Sequence, residues 1–399
     1  MPDQYKKRIL FVDDEPGILD GLQNLLFRER KRWDMVFAAG GEAALAEIHR
    51  ERFDVVVSDM RMPGLDGADL LREVKAECPG TVRIMLTGHA DKGAIAQALP
   101  ALHQLLSKPC DAKTLRAVLE RSVGGASPEL DRNIDEVVGS ITKLPTPPDV
   151  YFELTRCMQS PTTTVSHIAR AVMQDPGLAT KVLQLVNSGY FGAKQPIASI
   201  SDAVSRLGME QLRYLALTTA VFSSPAVHER CWFSLDTLQR AAVHAAGLAS
   251  QLVDRPLKDE AFAATLLRDI GHIVLALGRG DNFVSLHDRA RDQGSTRELE
   301  AELFGVTHAD IGARLLAIWG LPPILIDAVQ HHHDPGSAPE ASRQLASVVH
   351  FADAVASHLP ELTQLNMESL ERAGTAHLVP RWTEIAQRAA AASSPGDRR

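Results

Sequence analysis

The 399 residues contain no run of about 18 apolar side chains, and the N-terminus enters a strand-like run after a few polar residues. Neither a membrane span nor a signal peptide is expected, and the expected location is the cytoplasm. Cysteine is scarce. Cys78, Cys110, Cys157 and Cys231 stand far apart with no Cys-x-x-Cys pair, which speaks against a disulfide frame or a cysteine zinc site and favours reduced thiols. Aromatic residues make up 5% of the chain, and there is no internal repeat. The one low-complexity tract is an Ala-rich tail ending SSPGDRR, which is expected to fray. An excess of positive charge is also missing: the formal net charge is -8, the wrong sign for gripping nucleic acid through bulk electrostatics. At roughly 150 residues per domain, the length leaves room for two or three domains.

What is present is concentrated in five positions. Asp13, Asp14, Asp59, Thr87 and Lys108 close the apolar, β-branched runs RILFVDD, DVVVSDM, RIMLTG and QLLSKP, and MVFAA is a further strand candidate. Helical-period segments separate these runs, so the pattern is a repeated βα unit. In an open parallel sheet, ligands bind beyond the carboxyl ends of the strands, which brings these side chains together. Three carboxylates at one locus repel, and a hard divalent cation with oxygen ligands relieves them; magnesium suits one or two carboxylates with phosphate oxygens and water. A carboxylate beside such an ion can accept a phosphoryl group. Asp59, alone at the end of the central strand, is the expected acceptor. Asp13 and Asp14 would hold the metal, Lys108 would neutralise a phosphoryl oxygen, and Thr87 would donate a hydroxyl hydrogen bond to another. The plainer alternative makes each Asp a helix cap and Thr87 and Lys108 ordinary surface residues. Five required residue types at five strand ends are more specific than any single motif.

With VDDEPG, SDMRMPGLDG, LTGHAD and LSKP in that order, residues 7–121 resemble the receiver domain of two-component response regulators. The resemblance implies a doubly wound, five-stranded parallel α/β sheet of the flavodoxin-like kind. It also implies phosphorylation of Asp59 by a partner sensor histidine kinase, and a magnesium ion held by Asp13, Asp14, Asp59 and the backbone carbonyl of Arg61. The Lys108–Pro109 bond would be cis. Receivers usually carry Tyr or Phe three residues before the lysine; Leu105 stands there, so the aromatic part of the usual switch does not carry over.

After the last receiver helix, DAKTLRAVLERSV, come the breaker GGASP, the amphipathic PELDRNIDEVVGSI and the stiff KLPTPPDV. From there apolar periods of helical length dominate without a convincing strand signal, so the second module is expected to be all-helical. KLPTPPDV, MQDPGLATKVLQLVNSGYFG, SISDAVSRLGMEQLR, LLRDIGHIVLALG, GVTHADIGARLLAIWGLPP and AVQHHHDP follow in order. This half resembles the HDOD domain, a catalytically degenerate branch of the HD phosphohydrolase superfamily. The expected boundaries are a receiver over 1–123, a linker over 124–135, an HDOD domain over 136–336 and a helical extension with a frayed tail over 337–399.

Functional HD hydrolases gather His and Asp from several helices around one or two metals, and the resemblance maps that site onto Arg240, Arg268, Asp269, His308, His332, His333 and Asp353. At the first two positions a guanidinium replaces a ligand; it offers no lone pair and repels a cation. His244, one turn from Arg240, could substitute if the alignment shifts by a turn. For His331-His332-His333 the structural alternative is a helix C-terminus, where imidazolium suits the dipole and Asp334-Pro335 ends the element. A third reading joins Arg240 and Arg268 into an anion pocket for a nucleotide phosphate. TVSHIARAVMQDPGLATKVLQLV has helix-turn-helix spacing, but its second helix offers little beyond Lys181 and Gln184 to reach bases, so packed core is expected. Asn187-Ser188 reads as a helix-ending turn.

The sequence thus predicts a response regulator whose receiver controls a non-catalytic HDOD output through protein–protein interaction. Its expected partners are a sensor histidine kinase and downstream signalling proteins, without DNA or membrane contact; a homodimer is compatible with this reading. Magnesium is expected in the receiver, and either no metal or a residual one in the helical half. The alternative is an output that hydrolyses phosphoesters or cyclic dinucleotides through a metal at Asp269, His308, His332, His333 and Asp353.

Overall fold

The computed structural model divides the chain into two compact units, with the first boundary between Asp149 and Val150. The structure describes residues 6–87, 98, 101–123, 133, 134, 137, 149–160, 162–186, 197–222, 235–278, 296–357 and 365–393. Outside them lie the GHAD loop after Thr87, nearly all of the 124–135 linker, KLPTPPDV up to Pro148, Asn187-Ser188, Cys231 and the tail beyond Ser393. Leu105 and Gln184 are described in backbone only.

Strands β1 (Lys7–Asp13), β2 (Trp33–Ala39), β3 (Val55–Asp59), β4 (Val82–Thr87) and β5 (Gln104–Ser107) form one sheet in the order β2-β1-β3-β4-β5, with every pairing parallel. The continuous apolar runs of β3 and β4 are buried along almost their whole length, as strands covered on both faces require. Helices α1 (Pro16–Leu25), α2 (Gly41–Arg50) and α3 (Gly67–Glu77) make the first crossovers. Asp13, Asp59 and Thr87 are the last residues of β1, β3 and β4, and so share one edge of the sheet. Gly67 makes that edge compact. A Cβ at this position would lie 2.0 Å from the Asp59 carbonyl oxygen, so a side chain would push the start of α3 off the end of β3.

At the opposite end of β4, Arg83 is buried and satisfied by carbonyls: Nη1 donates to Thr81 O at 2.6 Å and to Pro79 O at 3.1 Å, and Nε donates to Ala101 O. Burial lowers its pKa to about 10. His103 sits against it. Its Nδ1 accepts from the Arg83 backbone N–H at 3.1 Å, and the guanidinium Nη2 lies 3.1 Å from Nε2, so a second ring proton has no acceptor here. Burial and then the Arg83 charge hold the His103 pKa well below 6.5. Because the folded value is depressed, the neutral ring's contribution is complete above the unfolded pKa of 6.5 and is lost as pH falls from there towards the folded value. Between pH 6.5 and 5 the protection of β4 and β5 amides in the full chain should therefore fall, by up to ~1.4 kcal/mol per pH unit from this ring. His103→Gln should flatten that dependence; equal slopes in the two proteins would remove His103 from the account.

From Asp149 onward the described residues contain helices and turns only. Helices Leu235–Leu252, Lys258–Leu267 and Arg343–Ser357 pack on one another at the centre of the second unit. The segment Arg255–Gly278 is apolar and long enough to cross a membrane by composition, but 83% of its window is buried inside the protein, as in a core helix. The helices Val165–Met173 and Pro176–Val186 carry the helix-turn-helix spacing, and Ile168, Val172, Leu178, Val182, Leu185 and Val186 are all buried, so the second helix uses its apolar face for packing. The helices beyond 336 belong to the same unit: Trp382 is buried against Phe351 and donates to Leu252 O at 3.1 Å. Cys78, Cys110 and Cys157 are free thiols.

Candidate functional site

At the carboxyl edge of the sheet, one cation serves two carboxylates. Lys108 Nζ lies 2.8 Å from Asp13 Oδ2 and also pairs with Asp59 Oδ1. Asp13 is buried, while Asp14 beside it is exposed. Burial alone would lower the Lys108 pKa, but its hydrogen bonds to Asp13 and Asp59 outweigh this and raise it. The second Asp59 oxygen accepts from Arg61 N–H at 2.8 Å, which holds the Arg61 peptide at the site. Lys108 N–H donates to Thr87 O at 2.6 Å, tying β5 to the end of β4. Thr87 Oγ1 lies 3.7 Å from Met60 Sδ. The Lys108–Pro109 bond is cis, as the receiver pattern implies. All five positions of the sequence reading thus share one edge. Two carboxylates facing one ammonium leave a net negative charge on a group of hard oxygen donors.

The helical unit holds a second cluster. Arg268 and Asp269 occupy a turn between helix Lys258–Leu267 and helical residues 270–278. The Arg268 side chain is only 3% exposed and joins two carboxylates: Nε donates to Asp353 Oδ1 at 2.7 Å, and Nη2 lies 3.1 Å from Asp269 Oδ2. Its Nη1 donates to Thr265 O at 2.9 Å. The other Asp269 oxygen lies 3.9 Å from both His308 Nε2 and His272 Nδ1. Burial would raise the Asp269 pKa, but the Arg268 charge and then the histidines bring it down to about 2.

Glu300, fully buried in helix Thr296–Phe304, orients His308. Its Oε2 accepts from the His308 backbone N–H at 2.8 Å and lies 2.7 Å from His308 Nδ1. That contact places the ring proton on Nδ1 and turns the Nε2 lone pair towards the cluster. Burial opposes ionisation of Glu300, but His308 and His272 hold its carboxyl below the usual carboxylate range. His272 Nε2 lies 3.0 Å from Glu300 Oε1, and the His272 and His308 rings stack at 3.9 Å. His332 Nδ1 donates to Val329 O at 2.6 Å, and its Nε2 is buried without a hydrogen-bond partner among the described residues. His333 Nε2 lies 3.0 Å from His308 Nε2. His350 fastens the loop from behind: its Nδ1 donates to His332 O at 2.8 Å, and its Nε2 accepts from Asn366 N–H at 2.9 Å.

Arg268, Asp269, His308, His332, His333 and Asp353 are therefore gathered, but Arg240 is not. Arg240 and His244 share the exposed face of helix Leu235–Leu252, whose other face buries Ala242, Ala245, Ala246 and Ala249. Among the described residues no ion pair joins Arg240 to the cluster. This corrects the expectation of two guanidiniums at the site and the anion pocket built on them, since the Arg268 charge is already matched by Asp269 and Asp353. His272 and Glu300 were not foreseen. His272 could have been found one turn after Asp269 on the same helical face; Glu300 carries no motif.

The cluster depends on close backbone approach. A Cβ on Gly271 would lie 1.8 Å from the His308 carbonyl oxygen and 2.8 Å from Gly312 N. Gly271→Ala should therefore destabilise the helical unit by roughly 1–3 kcal/mol, as overpacking of a close contact does, read by urea denaturation of the full chain. An unchanged midpoint would show that the two helices separate freely.

The two sites lie in an α/β unit and in the helical unit that follows it in the chain. Residues 9–120 match the family model of the response regulator receiver domain, and residues 144–335 match that of the HDOD domain. The chain is a receiver domain joined to an HDOD domain, the arrangement of a response regulator. It is similar to an uncharacterized protein of Treponema pallidum (strain Nichols), at 29% identity over 222 residues, 54% of this chain and 43% of that one. It is also similar to the transcriptional regulatory protein GlrR of Escherichia coli (strain K12), at 33% identity over 141 residues, 34% of this chain and 30% of that one. The chain thus spans less than half the length of these relatives. An HDOD domain protein with unknown function from Geobacter sulfurreducens shares the fold, at 24% identity and a TM-score of 0.52, covering 66% of this chain and 97% of its own.

Proposed function

We propose that a sensor histidine kinase phosphorylates this protein on Asp59, and that the phosphorylated receiver controls an HDOD output that acts by binding other signalling proteins in the cytoplasm. The observation that carries this reading is the placement of Lys108 across Asp13 and Asp59. An Asp59 carboxylate oxygen forms the new P–O bond as the donor's bond to phosphorus breaks, and Lys108 is already in place to meet the added charge of about −1.5 to −2. Thr87 supplies a hydroxyl at the same edge. Asp13, Asp14, Asp59 and the Arg61 carbonyl would hold magnesium, which when bound neutralises the phosphoryl oxygens during transfer.

The output reading is non-catalytic. A guanidinium that already neutralises Asp269 and Asp353 supports it, because those carboxylates are engaged with a cation that has no coordination site for water.

Two measurements test the proposal. A small-molecule phosphodonor with magnesium should label the full chain once, and Asp59→Asn, which keeps shape but lacks the nucleophile, should take no label; a variant that still labels would refute the acceptor. The full chain should also show no turnover of phosphoesters or cyclic dinucleotides above the buffer rate. Hydrolysis that disappears in Asp269→Ala would overturn the non-catalytic output.

A further inference from the structure

In the unphosphorylated protein the Thr87 hydroxyl already has an acceptor inside the site. It donates to Met60 Sδ at 3.7 Å, and both residues are buried. The Thr87 backbone is fixed, as the last residue of β4 and through its carbonyl, which accepts from Lys108 N–H at 2.6 Å. A change of partner for the hydroxyl is therefore a rotation about χ1 between a few staggered wells.

The sheet puts the sulfur there. Asp59 pairs with Leu86 across β3 and β4, so the next residues, Met60 and Thr87, come side by side at the carboxyl edge. Met60 N–H donates to Leu86 O at 3.1 Å, and its carbonyl accepts from Gly67 N–H at 3.0 Å. These bonds pin the Met60 backbone beside the phosphoacceptor, while its unbranched side chain keeps three rotatable bonds. A thioether is a weak hydrogen-bond acceptor. A bond to an ionised oxygen is roughly twice as strong as one between neutral groups. The sulfur thus defines the resting rotamer of Thr87 and yields to a phosphoryl oxygen.

We propose that Met60 is a positioning residue for the receiver switch: its sulfur holds the Thr87 hydroxyl at rest, and phosphorylation of Asp59 moves that donor from sulfur to a phosphoryl oxygen. One hydrogen bond is exchanged for another, and neither residue makes or breaks a bond to phosphorus. Acceptor strength at position 60 then sets how readily Thr87 engages, a property that side-chain bulk alone does not supply. The proposal rests on Asp59 as the phosphoacceptor, and its test separates the two.

The full chain is prepared with ¹³C-labelled methionine methyl groups and titrated, in magnesium, with beryllofluoride, which binds a carboxylate reversibly in place of a phosphoryl group. The Met60 signal is the one absent from Met60→Leu. Beryllofluoride should shift it, Thr87→Val should shift it with nothing added, and beryllofluoride should then move it little further. Met60→Leu conserves volume but has no acceptor. It should tighten beryllofluoride binding roughly two- to threefold, the size of a weak hydrogen bond lost at rest. Met60→Gln offers a stronger acceptor and should weaken binding roughly fivefold. Combined with Thr87→Val, the two substitutions should bind alike. If Met60→Gln does not fold, checked by circular dichroism, Met60→Leu and the methyl signal decide. Unchanged affinity in Met60→Leu, a Leu–Gln difference that persists with Thr87→Val, or a methyl shift as large in Thr87→Val as in the unaltered chain would overturn the role of Met60. If the unaltered chain binds no beryllofluoride, the Asp59 reading falls and takes this one with it; binding that is lost in Asp59→Asn but indifferent to position 60 removes Met60 alone.

Discussion

Two carboxylates brought to one partly buried locus repel each other unless a cation stands between them, and both sites of this protein are built on that constraint. In the receiver the cation is Lys108, between Asp13 and Asp59. In the helical unit it is Arg268, between Asp269 and Asp353. The two cations are not equivalent. A lysine is a point charge on a flexible stem, here 25% exposed, and can follow a charge that arrives on Asp59. Arg268 is a planar fork fixed at three points and closed to solvent, so it holds its partners in one arrangement. The first site is suited to receiving a charged group, and the second to keeping its carboxylates engaged.

Backbone approach makes both arrangements achievable. Gly67 lets the start of α3 rest against the carbonyl of Asp59, and Gly271 lets helical residues 270–278 rest against the start of helix His308–Ile318. In each case a side chain at the glycine would separate the elements that carry the charged groups. Supporting polar contacts then fix orientation: Arg61 N–H on Asp59, Glu300 on His308, Val329 O on His332 and His350 behind the loop.

The receiver site was legible in the sequence because a parallel sheet converts strand ends into neighbours. Asp13, Asp59, Thr87 and Lys108 lie at the ends of runs whose β-branched, apolar composition marks them as buried strands, and no further knowledge of packing was needed to bring them together. The helical cluster was legible only in part. Its histidines and Asp269 sit in recognisable segments. In helix Leu235–Leu252 the alanines at 242, 245, 246 and 249 fall on one face and Arg240 on the other, so the helical period alone spoke against the position that the resemblance gave Arg240. Glu300 was hidden by tertiary packing: an acidic residue in TRELEAELF reads as solvated surface until a neighbouring helix places His308 and His272 over it.

In each cluster a resident cation stands between two carboxylates, and Lys108 offers the most direct test because its carboxylates can exchange that cation for another. Unit charges about 4 Å apart interact by ~4 kcal/mol at an effective dielectric of 20, so removing the ammonium should make Asp13 and Asp59 better metal ligands. Calorimetric titration of magnesium into the full chain and into Lys108→Ala measures this. Binding roughly tenfold tighter in the variant, about 1.4 kcal/mol, is the expected result. Unchanged or weaker binding would mean that Lys108 does not stand in for a metal at these carboxylates, and would contradict the account.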